Sequence, residues 1–277
     1  MSHSIGTETG TIIAAPSRPE ARARGIAGAR AILLPAGLAL LVLLAWQAAV
    51  TLGHVPPVIL PSPLATFGTI VDHWDILLTH AVPTTLESIA GFLLASLLGI
   101  ALAVLITWSR LAREALYPNL VFFQLIPKIA LAPLFIIWLG IGPQSRIAFA
   151  VFIAFFPVVI ATTAGLLSAD PGMLRLCRSL TATEGQVFLH VRFPAALPSI
   201  FGGLKVAITL AIIGVIIGEF ITAQAGLGYL IIFATARADT EVSMAAIVVL
   251  CGCGLLLYGL VAAAEWAARR AFSTDGR

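Results

Sequence analysis

Residues 175–198 read RLCRSLTATEGQVFLHVRFPAALP, with three arginines, a glutamate and a histidine in a chain whose other long stretches are oil. What that interruption means depends on the solvent around it. Over 277 residues the chain is 60% hydrophobic and only 10% charged, with a mean hydropathy of +1.04. Such a chain lacks the polar surface to cover a globule in water. A charge-free run of roughly 18 residues or more is long enough for a helix to cross the hydrocarbon core. Ala31–Gly53, Ser88–Ser109 and Ile147–Ala169 carry no charge; Tyr117–Gly140 is broken only by Lys128, Val206–Ala236 only by Glu219 and Val242–Ala268 only by Glu265. These runs predict an all-α integral membrane protein with about six transmembrane helices, and they place the quoted stretch between the fourth and the fifth.

Orientation follows from the basic residues, which stay near cytoplasmic span ends. With the N-terminus inside, thirteen of the sixteen Lys and Arg residues fall inside or at inner span ends; only Lys128, Arg146 and Arg237 do not. The expected organisation is a disordered cytoplasmic tail over 1–30, a retained anchor over 31–53, an external loop over 54–83 carrying Asp72 and Asp75, a transmembrane core over 84–268 that includes the inner loop 168–198, and a cytoplasmic tail over 269–277. The first run starts too late and runs too long for a signal peptide core.

The stretch that includes the quoted residues, 168–198, then lies inside, and its sequence predicts a helical hairpin. Asp170 suits an N-cap and Pro171 the first helical position, where a missing N–H costs nothing. Met173, Leu176, Cys177 and Leu180 fall in one stripe at helical spacing, with Arg175, Arg178 and Ser179 opposite. Thr183 and Gln186 have capping-box spacing and start a second short helix through Val187, Phe188 and Val191 that Pro194 ends. A basic amphipathic hairpin serves either of two ends: lying on anionic lipid, or docking a soluble protein.

The hairpin resembles the cytoplasmic Glu-Ala-Ala loop of binding-protein-dependent ABC importer permeases, whose pattern runs Glu-Ala-Ala, three residues, Gly, nine residues, then Ile-x-Leu-Pro. Arg175, Leu176 and Cys177 stand at the first three places, Thr181 at the Gly and Val191-Arg-Phe-Pro194 at the close; the spacing matches, the Glu and the Gly do not. Arg178-Ser-Leu-Thr-Ala182 is similar to a motif of the sulfonate, nitrate and taurine branch. Leu60-Pro-Ser-Pro63, Ile126-Pro-Lys-Ile-Ala-Leu-Ala-Pro-Leu134, Trp138-Leu-Gly-Ile-Gly142, Gly203-Leu-Lys205, Gly218-Glu-Phe220 and Gly226-Leu-Gly-Tyr229 follow in that branch's order. The resemblance implies a type I importer permease. Its partners are an ATP-binding subunit on the cytoplasmic side, an external solute-binding protein and a second permease copy, in a bacterial inner membrane. It also implies that Pro171–Gly185 docks the ATPase, with Leu174, Cys177 and Leu180 as apolar anchors, Arg175 and Arg178 as polar contacts, and Thr181 and Gly185 in the same surface. The branch carries sulfonates, nitrate, taurine and some pyrimidine-like or aromatic compounds, so a small anionic or aromatic solute is expected.

Ionisable residues among apolar spans need a partner or a pathway. Lys128 lies between Pro127 and Pro133, which interrupt the helix ladder and free carbonyls. Gln124, Lys128 and Glu219 are therefore candidates for the translocation path. Alternatively Lys128 snorkels or pairs with Glu219, and Glu219 pairs with Lys205 or caps backbone donors at a break before Gly226. Glycines at 226 and 228 predict a bend, with Leu227–Ala236 as a separate short helix that gates the pore or merely turns the chain. Gly91, Ala95 and Gly99, like Gly214 and Gly218, have the four-residue spacing of close helix packing.

No phosphate-binding loop, nucleophile elbow or His-Glu-x-x-His pair is present, and the Cys and His spacings do not fit a zinc site. Enzymatic readings fare poorly on these grounds, so a non-catalytic membrane subunit is expected, with ATP hydrolysed by a partner chain, and nothing calls for a cofactor or nucleic acid. An ion-coupled secondary transporter, working without an ATPase, is the rival reading.

Overall fold

A computed structural model describes residues 18–222 and 224–274, with side chains over 33–222 and 224–271. The chain divides into two compact units, 1–55 and 56–277. The first contains α1 (Arg18–Leu52), whose stretch Leu33–Leu52 is long and apolar enough to span a membrane. Of the tail expected over 1–30, residues 1–17 lie outside the described residues; from Arg18 onward the chain is already helical.

The second unit begins where the sequence reading placed an external loop, and most of that segment is helical. Ser62 caps α2 (Pro63–Asp72) by accepting from the Ala65 N–H at 3.2 Å, with Pro63 at the helix start. This gives the Leu-Pro-Ser-Pro motif a local role: an N-cap followed by a residue that needs no donor. Then α3 (Trp74–Trp108) runs for 35 residues. It begins far earlier than the charge-free run because Asp75 lies in its first turn and Glu87 is paired within the bundle.

The remaining helices are α4 (Arg110–Gln124), α5 (Ala132–Leu139), α6 (Pro143–Leu167), α7 (Pro171–Ser179), α8 (Glu184–Val187), α9 (Phe193–Thr222), α10 (Leu227–Ala236) and α11 (Thr240–Thr274). Among the described residues five helices are long and apolar enough to cross a membrane. The run Tyr117–Gly140 is not one straight span: the segments 110–124 and 128–139 meet at 89°, and they make a sixth crossing if taken together. Val206–Ala236 is also two elements, since α9 stops at Thr222 and α10 is separate, as the glycines predicted. Pro194 does not end the second hairpin helix. A π-turn over Phe188–Arg192, closed by the Phe193 N–H on the Phe188 carbonyl, carries the chain into α9, so Pro194 falls in a first turn. There its missing donor costs little.

Close backbone approach holds α3, α6 and α9 together. A β-carbon on Gly91 would stand 2.8 Å from Ala150 Cβ, one on Gly99 2.8 Å from Val158 Cγ1, and one on Gly214 2.8 Å from Ala150 Cα. Ala95, Ala150, Ala154, Ala207 and Ala211 fill the same seam, as expected where lipid supplies no hydrophobic drive between helices and small residues let backbones pack. These pairings run α3 parallel to α6 and α9 antiparallel to both. The α7–α8 hairpin therefore sits at one end of the bundle, beside Trp108, which stacks on Phe188 at 5.7 Å between centroids. Glu219, α10 and the starts of α3 and α6 sit at the other.

Candidate functional site

At the hairpin end both expected caps form. The Asp170 carboxylate accepts from the Gly172 N–H at 3.0 Å, and Thr183 and Gln186 cap each other's backbone N–H groups. Leu180, the C-cap residue of α7, is 69% exposed, and Met173 and Leu176 on the helix are exposed beside it, as are Arg175 and Arg178. Leu174 and Cys177 are half-buried, so the outward apolar face is Met173, Leu176 and Leu180. A groove of about 520 Å³ opens between α7 and α8, lined by Leu180, Thr181, Gln186 and His190 among others. Gly185 is exposed, with nothing within 4 Å of a β-carbon placed there, so sterics do not demand glycine at that position.

Thr181 is another matter. The Ala182 N–H bonds the Cys177 carbonyl at 3.0 Å and the Thr181 N–H bonds that of Arg178 at 3.1 Å, which is the hydrogen-bond pair of a Schellman C-cap. Thr181 holds the left-handed position at φ 56°, costly for a β-branched residue. Glycine is the preferred residue there, which is what the loop pattern carries at this place. Thr181→Gly should stabilise the hairpin by about 1 kcal/mol, the relief of strain less the flexibility glycine adds to the unfolded chain. Slower hydrogen exchange at the Ala182 amide would register it; unchanged exchange would mean that the strain is absent.

The opposite end is built around the first turn of α10. Gly226, at φ 115°, starts the helix with no side-chain cap of its own, and three distant side chains take its leading N–H groups. His80 Nδ1 accepts from Gly226 at 3.1 Å, Thr84 Oγ1 from Leu227 at 2.8 Å and Glu219 Oε2 from Gly228 at 2.7 Å. Thr84 in turn donates to Glu219 Oε1 at 2.7 Å. Glu219 is 2% exposed, and a β-carbon at Gly226 would overlap its carboxylate. Of the alternatives open for Glu219, the structure shows the backbone cap and neither lysine pairing.

One turn further in, Arg146 on α6 meets Glu87 on α3. Nε and Nη2 donate to the two carboxylate oxygens, the first at 2.7 Å, and both residues are buried at 8% and 7% exposure. This bidentate pair is not found from sequence, where Arg146 is only one of three basic residues left in a span or outside, with no partner named. Lys128 lies at the break between α4 and α5, where its Nζ donates to the Gln124 carbonyl at 3.3 Å and stands 5.2 Å from the Phe156 ring centroid. That carbonyl is one that the helix interruption frees, and a lysine at a helix C-terminus suits it. Lys205 pairs instead with Glu265, which also takes Arg269.

The fold resembles solved ABC importers: an inward-facing methionine transporter matches with a TM-score of 0.60 over 73% of this chain and 98% of that one, at 21% identity. In sequence the chain is 38% identical over 227 residues (82% of this chain, 93% of the relative) to a probable ABC transporter permease of Haemophilus influenzae. It is 35% identical (85% and 88%) to a riboflavin transport system permease of Chloroflexus aurantiacus. A putative aliphatic sulfonates transport permease of Bacillus subtilis matches at 30% (82% of both). Residues 95–270, from the middle of α3 to the end of α11 and including the hairpin, match the family of binding-protein-dependent transport system inner membrane components. The chain belongs to that family and is a multi-pass permease subunit of an ABC importer.

Proposed function

We propose that the chain forms the translocation pore of an ATP-driven importer in a bacterial cytoplasmic membrane, as a homodimer or with a similar permease, for a small anionic or aromatic solute. The observation that carries this is the α7 face: exposed Met173, Leu176 and Leu180 beside Arg175 and Arg178, on a hairpin capped at both of its helix starts. A face of that kind fits a groove on a partner, and the ATP-binding subunit implied by the family is the partner to seat it. The distribution of Lys and Arg supports both termini and the hairpin on the cytoplasmic side. Gln124 and Lys128, at the bend, border the path where a cation suits an anion. Glu219 acts from within its wall, pinning α10 as an outer gate.

The test is to purify the tagged chain from its host in mild detergent and reconstitute what comes with it. The expected result is a stoichiometric soluble ATPase and solute uptake that requires ATP and the external binding protein. Uptake by the chain alone, driven by an ion gradient, would replace this reading with a secondary transporter.

A further inference from the structure

At the end of the bundle away from the hairpin, a cavity of about 450 Å³ opens between the start of α3, α10 and the start of α11. That is within the range of pockets that hold small molecules. Its floor is apolar, with Leu77 and Leu230 both buried. One wall is aromatic: Tyr229 and Phe233 stand 5.5 Å apart between centroids, tilted by 30°.

Two polar groups in the lining present donors to an anion, Arg237 and His80, beside His73, Gln224 and the Tyr229 hydroxyl, which can donate or accept, and the carboxylate of Asp239. The Arg237 guanidinium lies 3.9 Å from the Phe233 ring centroid; stacking of this kind fixes the group while leaving its N–H fork in its own plane for a second partner. His80 accepts the Gly226 N–H through Nδ1, so the neutral ring carries its proton on Nε2, a donor. Asp239, the carboxylate in the lining, accepts from the Val242 N–H at 3.2 Å in the first turn of α11. The combination of an apolar floor, aromatic wall and guanidinium fork matches an aromatic ring bearing an acid group.

We infer that this cavity binds a small planar acid, an aromatic or heteroaromatic ring with a carboxylate or sulfonate, its ring on Tyr229 and Phe233 and its acid group on Arg237 and His80. The inference rests on the importer reading and adds a second property to it. Because His80 faces the cavity and also caps α10, an occupant is coupled to the element proposed as the outer gate.

The experiment uses the full chain in phosphatidylcholine nanodiscs and radiolabelled benzenesulfonate in equilibrium dialysis. Saturable binding of one molecule per chain is expected. Arg237→Gln should weaken it roughly 10- to 100-fold, the loss of a charge-assisted bidentate contact, and Arg237→Lys by less. Neutral benzenesulfonamide and ring-less methanesulfonate should each bind at least about tenfold more weakly. An unchanged thermal unfolding curve for Arg237→Gln separates lost contact from lost fold. No saturable binding to the wild-type chain, equal binding of methanesulfonate, or binding indifferent to Arg237→Gln would each overturn the site. ATP-dependent uptake by the full complex, measured alongside, would stand if only the cavity assignment failed. Loss of affinity for the external binding protein in Arg237→Gln, with no benzenesulfonate bound by wild type, would reassign the cavity to protein docking.

Discussion

Arg146→Met is expected to destabilise the bundle by about 3–5 kcal/mol, because it strands a carboxylate that cannot reach water. Glu87 and Arg146 are joined by two charge-assisted bonds between α3 and α6, and both lie within helices long enough to span the membrane. With the guanidinium gone, Glu87 keeps the desolvation cost and loses its compensation. Among the described residues Glu87 has no second ion-pair partner, and Glu219, across the same seam, is itself a carboxylate, committed to Thr84 and Gly228. Thermal unfolding in detergent measures the loss, and membrane yield should fall with it. A second variant tells a charge effect from a packing effect. Arg146 also packs on α9, where a β-carbon on Gly218 would stand 2.7 Å from Arg146 Cγ, so methionine retains much of that contact. Glu87→Leu combined with Arg146→Met should therefore recover most of the stability, since apolar replacement of both partners removes the stranded charge. A double variant as unstable as the single one would show that the pair fixes the helices by its geometry instead.

That pair also marks where the sequence stops being informative. The spans were legible because charge-free length is a local property, and the hairpin caps because Asp170–Pro171 and Thr183–Gln186 each act within one turn. The start of α3 was not legible. Reading Glu87 and Asp75 as span terminators cut the helix short, yet Glu87 is tolerated by a partner 59 residues away. Glu219 was legible as a possible cap for the start of α10, but the other two groups that cap it are hidden for the same reason. Nothing local says that His80 and Thr84, about 145 residues earlier in the chain, would serve the amides of Gly226 and Leu227. A spacing signal was there: His80, Thr84, Glu87 and Ser88 form a polar stripe at helical intervals on α3, on the face that the small residues Gly91, Ala95 and Gly99 continue. A polar stripe continuous with a packing seam points to buried partners on facing helices, although it does not name them. In the hairpin, the stripe of Met173, Leu176 and Leu180 was legible; the half-burial of Leu174 and Cys177 was not, and Cys177 lines a groove with Val187 and Val191, residues beyond the helix itself.

Leu180→Glu is expected to reduce ATP-dependent uptake to background while leaving insertion and fold intact. Leu180 is the most exposed of the apolar residues on α7, 69% against 53% for Leu176 and 47% for Met173, so removing it takes little from the chain's own packing. If it fills a pocket on the ATPase, its loss costs the complex about 2–4 kcal/mol, and burying a carboxylate in the same place costs more. Affinity for the ATPase should drop by more than roughly a hundredfold. Within the chain the added charge meets only the C-terminal end of a nine-residue helix, a penalty of about 0.5 kcal/mol. Co-purification of the ATPase and uptake should fail together, Leu180→Met should restore both, and Leu180→Ala should fall between. A hairpin that merely rests on lipid makes the opposite prediction: Leu180→Glu would loosen it from the bilayer surface, and the ATPase would still co-purify at full stoichiometry. That result would remove α7 from the proposed docking contact and leave the energy source of transport to be sought elsewhere on the chain.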